Sequence, residues 1–170
     1  MCFSATASFG AGIVLTAIGV ASIKKVQHRS QFMFAAIPLL FAIQQFSEGI
    51  LWLTLPYPDL QYFQKDTTYF FLIFAQIIWP LYVPISILLL EKQKTQENIQ
   101  RLLVVIGLLV SCNLGYYLYN YKAHAEIDCY HIKYLQSYPE KFRIWGGILY
   151  GVATILPPFF SHIRRMWMLG

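Results

Sequence analysis

Five times along this chain about twenty residues pass with almost no charge, the length an α-helix needs to cross roughly 30 Å of hydrocarbon. The pattern predicts an all-α integral membrane bundle, a single transmembrane domain over residues 1–170. Its spans fall at about 5–23, 31–55, 67–90, 99–121 and 144–163, with an outer loop at 122–143. Hydrophobic residues make up 57% of the chain and charged residues 12%, so the charges read as punctuation between apolar segments.

Charge placement orients the bundle. With the amino terminus outside, the inner connections 24–30, 91–101 and 163–170 hold Lys24, Lys25, Arg29, Lys92, Lys94, Arg101, Arg164 and Arg165 against only Glu91 and Glu97. The outer segments balance Lys65, Lys122, Lys133, Lys141 and Arg143 with Asp59, Asp66, Glu126, Asp128 and Glu140. An inner excess of basic residues obeys the positive-inside rule, and an odd number of spans then puts the carboxy terminus inside. A cleavable signal peptide needs a basic region before its apolar stretch, and none precedes Ala5, so the first span reads as an anchor. The net charge of +5 has this topological cause; no Lys/Arg run exceeds two residues, and no nucleic-acid partner is expected.

One acid remains inside a span. Glu48 lies about seven residues before the exit near Leu55, roughly 10 Å deep at 1.5 Å per residue. A carboxylate at that depth costs several kcal/mol (about 2–4) unless it is paired, neutralised or facing water. Helical spacing puts it on one face with Gln44, Gln45 and Trp52. Its functional reading is a proton-, cation- or metal-handling group; its structural reading is a buried hydrogen bond that fixes helix packing. Ser4, Thr6 and Ser8 from the first span, Gln76 from the third, and Cys112, Asn113 and Tyr116 from the fourth are expected in the same outer half, where they would line an outward pocket. The hydroxyls of Ser4, Thr6 and Ser8 fit helix-start and packing roles better than chemistry.

The outer loop "HAEIDCYHIKY" brings ligand types together. His124, Glu126 and Asp128 alternate, while Cys129 and His131 alternate on the opposite parity, so an extended segment would carry two different ligand sets on its two faces. Cys2, Glu48, His131 and His124 are the candidate metal ligands, with zinc or copper as the candidate ions; Cys2, Glu48 and His131 are the candidate catalytic set. The spacing matches no named metal motif, and a solvated loop is the simpler reading. Cys2 and Cys129 share the outer side and are candidates for a disulfide. Cys112 reads as a small packing residue, and His28 and His162 as interfacial residues without a local partner. Pro80 and Pro84 remove backbone donors and predict a kink in the third span. No GxSxG, HExxH, P-loop or dinucleotide fingerprint occurs.

The stretches "MCFSATASF", "QQFSEGILW" and "HIKY" together resemble an uncharacterised family of bacterial multi-pass membrane proteins, and the resemblance covers nearly the whole chain. It implies that Cys2, Glu48 and His131 belong to the family's characteristic residues. There is one departure: members of that family continue for two more spans after a segment like "ATILPPFFSHIRRMWMLG", where this sequence ends at Gly170. Three functions are then in play for a bacterial inner-membrane protein of this kind. The first is an accessory or assembly subunit of a larger membrane complex, with other membrane subunits or further copies of itself as partners. The second is a metal-dependent or redox enzyme embedded in the membrane with an outward polar pocket. The third is a proton- or cation-coupled carrier using Glu48.

Overall fold

The computed structural model describes residues 4–163, leaving out the side chains of 140–142. Among the described residues six α-helices and one hairpin follow in chain order: α1 Ala5–Lys24, α2 Phe32–Thr54, α3 Gln61–Ile73, α4 Trp79–Leu88, α5 Lys94–Asn120, β1 Ala123–Asp128, β2 His131–Gln136 and α6 Glu140–Phe159. A π-helical stretch, Phe74–Ile78, joins α3 to α4. Among the described residues four helical runs are long and apolar enough to cross a membrane: Ala5–Lys24, Arg29–Thr54, Pro58–Leu88 and Lys94–Asn120. The fifth expected span is also helical, as α6, but is not among those four. Arg143, Gly146, Gly147, Gly151 and the Pro157-Pro158 pair dilute its apolar character.

The third run starts well before the expected residue 67, because the polar turn "QYFQKD" continues the helix toward Pro58. Its irregularity lies just ahead of Pro80, where the missing N–H and the ring crowd the preceding turn into a π stretch. Ser4 stands at the N-cap of α1, its hydroxyl accepting from the Ala7 N–H at 3.2 Å, while Thr6 is exposed.

The chain forms two compact units. The first comprises Met1–Val26, Ala35–Phe74 and Leu118–Ser137. Within it α1 runs antiparallel to α2 on a row of small residues. A Cβ on Gly12 would sit 2.8 Å from the Phe46 ring, one on Gly19 2.6 Å from Leu39, and one on Gly49 2.9 Å from Phe9. Such close approach lets two apolar helices gain dispersion contact where lipid supplies no hydrophobic drive. β1 packs against α3: Ile132 is fully buried, Ala123 nearly so, and the Tyr134 ring stacks on Phe71 at 4.4 Å.

The second unit comprises Gln27–Phe34, Ala75–Tyr117 and Tyr138–Gly170. Here α4 packs against α6, and Pro80, Pro84, Pro157 and Ile87 are fully buried. Pro84 has no N–H to offer the Pro80 carbonyl, and α5 crosses at that point: a Cβ on Gly107 would lie 2.0 Å from Pro80 O. Only glycine lets the two backbones meet there.

Candidate functional site

The buried polar groups of the first unit gather on α2. Glu48 is fully buried, Gln44 and Ser47 nearly so, and Gln45 Nε2 lies 3.4 Å from Glu48 Oε2. Glu48, Gln44 and Ser47 are held by ordinary helical periodicity. Ser47 spends its own proton on the Gln44 carbonyl at 2.7 Å, which leaves the amides and the carboxylate as the groups able to meet a ligand or proton.

Two further hydroxyls of this unit are buried on other elements. Ser8 on α1 is fully buried, one helical turn before Gly12 in the row that packs on α2. Tyr134 enters from β2, and its phenol is held well above the usual tyrosine range, first by burial and then by the negative charge of Glu48. Among the described residues neither Ser8 Oγ nor Tyr134 Oη has a protein hydrogen-bond partner. A buried carboxylate with an amide at 3.4 Å and a phenol within its field has the chemistry to hold a proton or a small cation.

The expected outer loop is instead an antiparallel hairpin, which changes the ligand faces. Ala123 pairs with Gln136, Glu126 with Lys133 and Asp128 with His131. Cys129, at φ 54°, forms with Tyr130 the two-residue turn. That turn resets the alternation, so His131 returns to the face of His124, Glu126 and Asp128 rather than the opposite one. Ala123, Ile132 and Tyr134 share the inner face; Lys133 bridges Asp128 at 3.5 Å and Glu126 at 4.0 Å on the outer one.

The candidate residues therefore separate. Glu48 is sealed in the interior, while His124 and His131 are exposed on the hairpin. Among the described residues no three His, Cys, Asp or Glu side chains are grouped closely enough to hold a metal. Cys2 lies outside the described residues, and with it the proposed Cys2–Cys129 disulfide; Cys129 itself is exposed at the turn. Cys112 is exposed rather than packed inside, and so are Asn113 and Tyr116, because this side of α5 faces away from the unit's own core.

A second polar cluster was not legible in the sequence. The Glu91 side chain is fully buried; it accepts from the Ser161 hydroxyl and lies 2.6 Å from His162 Nδ1. His162 thus has a partner, one separated by 71 positions, which no local pattern could reveal.

The chain belongs to a family of unknown function, DUF6629, whose match runs over residues 1–170. No curated protein and no solved structure matches it.

Proposed function

We propose that this member of the family is a multi-pass protein of the bacterial inner membrane that serves as an accessory or assembly subunit of a larger membrane complex and meets its partner through the hairpin 123–136. Four apolar helices support the membrane location, with α6 as the fifth span. The inner excess of basic residues supports an outside amino terminus and an inside carboxy terminus. On this reading the hairpin stands on the outer side. A membrane-impermeant maleimide should label Cys129 in intact spheroplasts; labelling only after the membrane is broken would reverse the orientation.

The observation that carries the subunit reading is the construction of the hairpin. A lone two-stranded hairpin is marginal in water. This one is anchored through Ile132, Ala123 and the Tyr134–Phe71 stack, while its other face offers His124, Glu126, Asp128, His131 and Lys133, and Tyr130 at the tip is 76% exposed. A polar face already held in one conformation binds without paying to order itself. Purified from native membranes in mild detergent, the chain should carry a stoichiometric partner. Tyr130→Ala combined with Lys133→Glu should release that partner while the protein accumulates to wild-type level. Recovery of a lone monomer, or a partner indifferent to both changes, would count decisively against the reading.

Glu48 favours a second reading, a proton- or cation-coupled carrier or a membrane-embedded enzyme, because a fully buried carboxylate beside Tyr134 is costly to keep for packing alone. Under it, Glu48→Gln abolishes pH-dependent flux in reconstituted vesicles, or a catalytic turnover, and leaves partner recovery unchanged. Under the subunit reading, the same change leaves flux at background level before and after.

A further inference from the structure

The first unit contains a cleft of about 540 Å³ between α3 and β1, lined by Gln61, Gln64, Lys65, Thr68, Tyr69, Lys122 and His124 together with the alanines at 123 and 125. Its lining has two lysines, a histidine, two amides and two hydroxyls, and no carboxylate. Neither Lys65 nor Lys122 has an ion-pair partner among the described residues. The acids of the hairpin, Glu126 and Asp128, are instead engaged by Lys133.

Local bonding aims the donors. Tyr69 Oη accepts the Ala123 N–H at 3.3 Å, which fixes the phenol at the cleft wall and leaves its own proton to give. Lys65 Nζ lies 6.0 Å from the centroid of the Tyr69 ring, so its charge is carried over that wall rather than out along the helix. Gln64 spends its amide protons on the Thr54 and Tyr57 carbonyls, at 2.7 and 2.8 Å, and so braces the floor. Thr68 is buried and bonded to the Gln64 carbonyl at 2.7 Å.

We propose that this cleft binds a phosphate ester, its anionic oxygens held between Lys65 and Lys122 with the Tyr69 hydroxyl and the His124 ring as further contacts. Two uncompensated cations facing one concavity repel each other, and a dianionic or monoanionic phosphate placed between them turns that repulsion into attraction. The volume is far larger than a phosphate ion alone and falls in the range of small-ligand sites, which leaves space for the alcohol half of the ester. Such an ester has either of two sources: the monoanionic phosphodiester headgroup of an anionic phospholipid or a water-soluble phosphate monoester.

The test uses the full chain in a phosphate-free maltoside detergent. One arm titrates glycerol 1-phosphate by calorimetry; the other measures retention of phosphatidylglycerol against phosphatidylcholine by native mass spectrometry. Binding of glycerol 1-phosphate assigns a soluble ester, and selective retention of phosphatidylglycerol alone assigns a lipid headgroup; either supports the site. Lys65→Gln with Lys122→Gln should weaken the bound probe about tenfold or more, and Lys94→Gln, on α5, should leave it within about twofold. For the wild-type chain, which needs no variant to fold, raising salt from about 0.05 to 0.5 M should weaken binding severalfold. The proposal is overturned if neither probe binds, if the double variant binds like wild type, if Lys94→Gln costs as much, or if binding ignores salt.

Discussion

The two units satisfy their buried polar groups in different ways. In the first, Ser47, Thr54, Thr67 and Thr68 turn back onto carbonyls of their own helix three or four residues earlier. In the second, Ser86 likewise turns back onto Val83, but other side chains, buried or half-buried, reach across the chain: Tyr82 to the Met33 carbonyl at 2.9 Å, Ser111 to Ile77 at 2.8 Å, Gln100 to Pro157 at 2.8 Å, and Ser161 and His162 to Glu91. The acceptors explain the difference. Ile77 lies in the π stretch and Pro157 in the last turn of α6, both places where the regular ladder of helical bonds is interrupted. Where a helix keeps its own carbonyls occupied, its hydroxyls bond locally, as Ser86 does in the second unit too; where proline and helix ends release carbonyls, more distant side chains reach them, as Gln64 reaches Thr54 and Tyr57 at the end of α2 in the first.

The largest break in this comparison should come from glycine. Gly107→Ala in the second unit drives a methyl into the Pro80 carbonyl, which is backbone and cannot swing aside, and should cost about 3 kcal/mol or prevent folding. Gly12→Ala in the first unit meets only the edge of the Phe46 ring and should cost about 1 kcal/mol. Thermal or denaturant unfolding in detergent separates them, and equal losses would remove the distinction between rigid and yielding contacts.

Next in size is the carboxylate pair. Glu91→Ala strands Ser161 and His162 and should lose about 2 kcal/mol, whereas Glu126→Gln on the exposed hairpin should change stability by less than about 0.5 kcal/mol. A third contrast sets Gln100→Leu and Ser111→Ala, expected to lose about 1 kcal/mol each, against Thr67→Val, expected to stay within a few tenths (about 0.3 kcal/mol) because its bond duplicates one the helix already makes. If Thr67→Val proves as costly as Gln100→Leu, local and long-range bonding are equivalent here.

The smallest effect is a pH slope. Tyr134 is kept neutral in the folded protein by burial and by Glu48, while in the unfolded chain a tyrosine releases its proton near pH 10. Above that pH the folded state binds more protons than the unfolded state, so stability falls as pH rises. Tyr134→Phe should be nearly neutral at pH 7, since the hydroxyl has no protein partner to lose, and should flatten the decline between about pH 9.5 and 11. An unchanged alkaline slope would show that Tyr134 is not the group responsible.

Much of the architecture was legible because helix length and apolarity are local properties. The run "ATASFGAGIVLTAIGV" lies in a helix, Ala5–Lys24, because nothing in it breaks one and its Ser4 caps it. The hairpin was less legible: alternation along "AHAEID" suggested extended chain, but its pairing with "HIKYLQ" depends on a two-residue turn at Cys129 and Tyr130, and that turn decides the face of His131. Glu48 could be singled out as an acid inside an apolar span, yet its company could not. Tyr134 lies 86 positions away.

What the sequence determined by itself was thus the apolar helices, the caps and the position of the stray carboxylate, all set by residues within a turn or two of each other. Tertiary structure alone decided that Glu91 meets His162, that Gly107 meets the Pro80 carbonyl, and that Lys65 and Lys122 flank one cleft. These join residues from 27 to 71 positions apart, and over such separations it is packing geometry, not local propensity, that selects which groups touch.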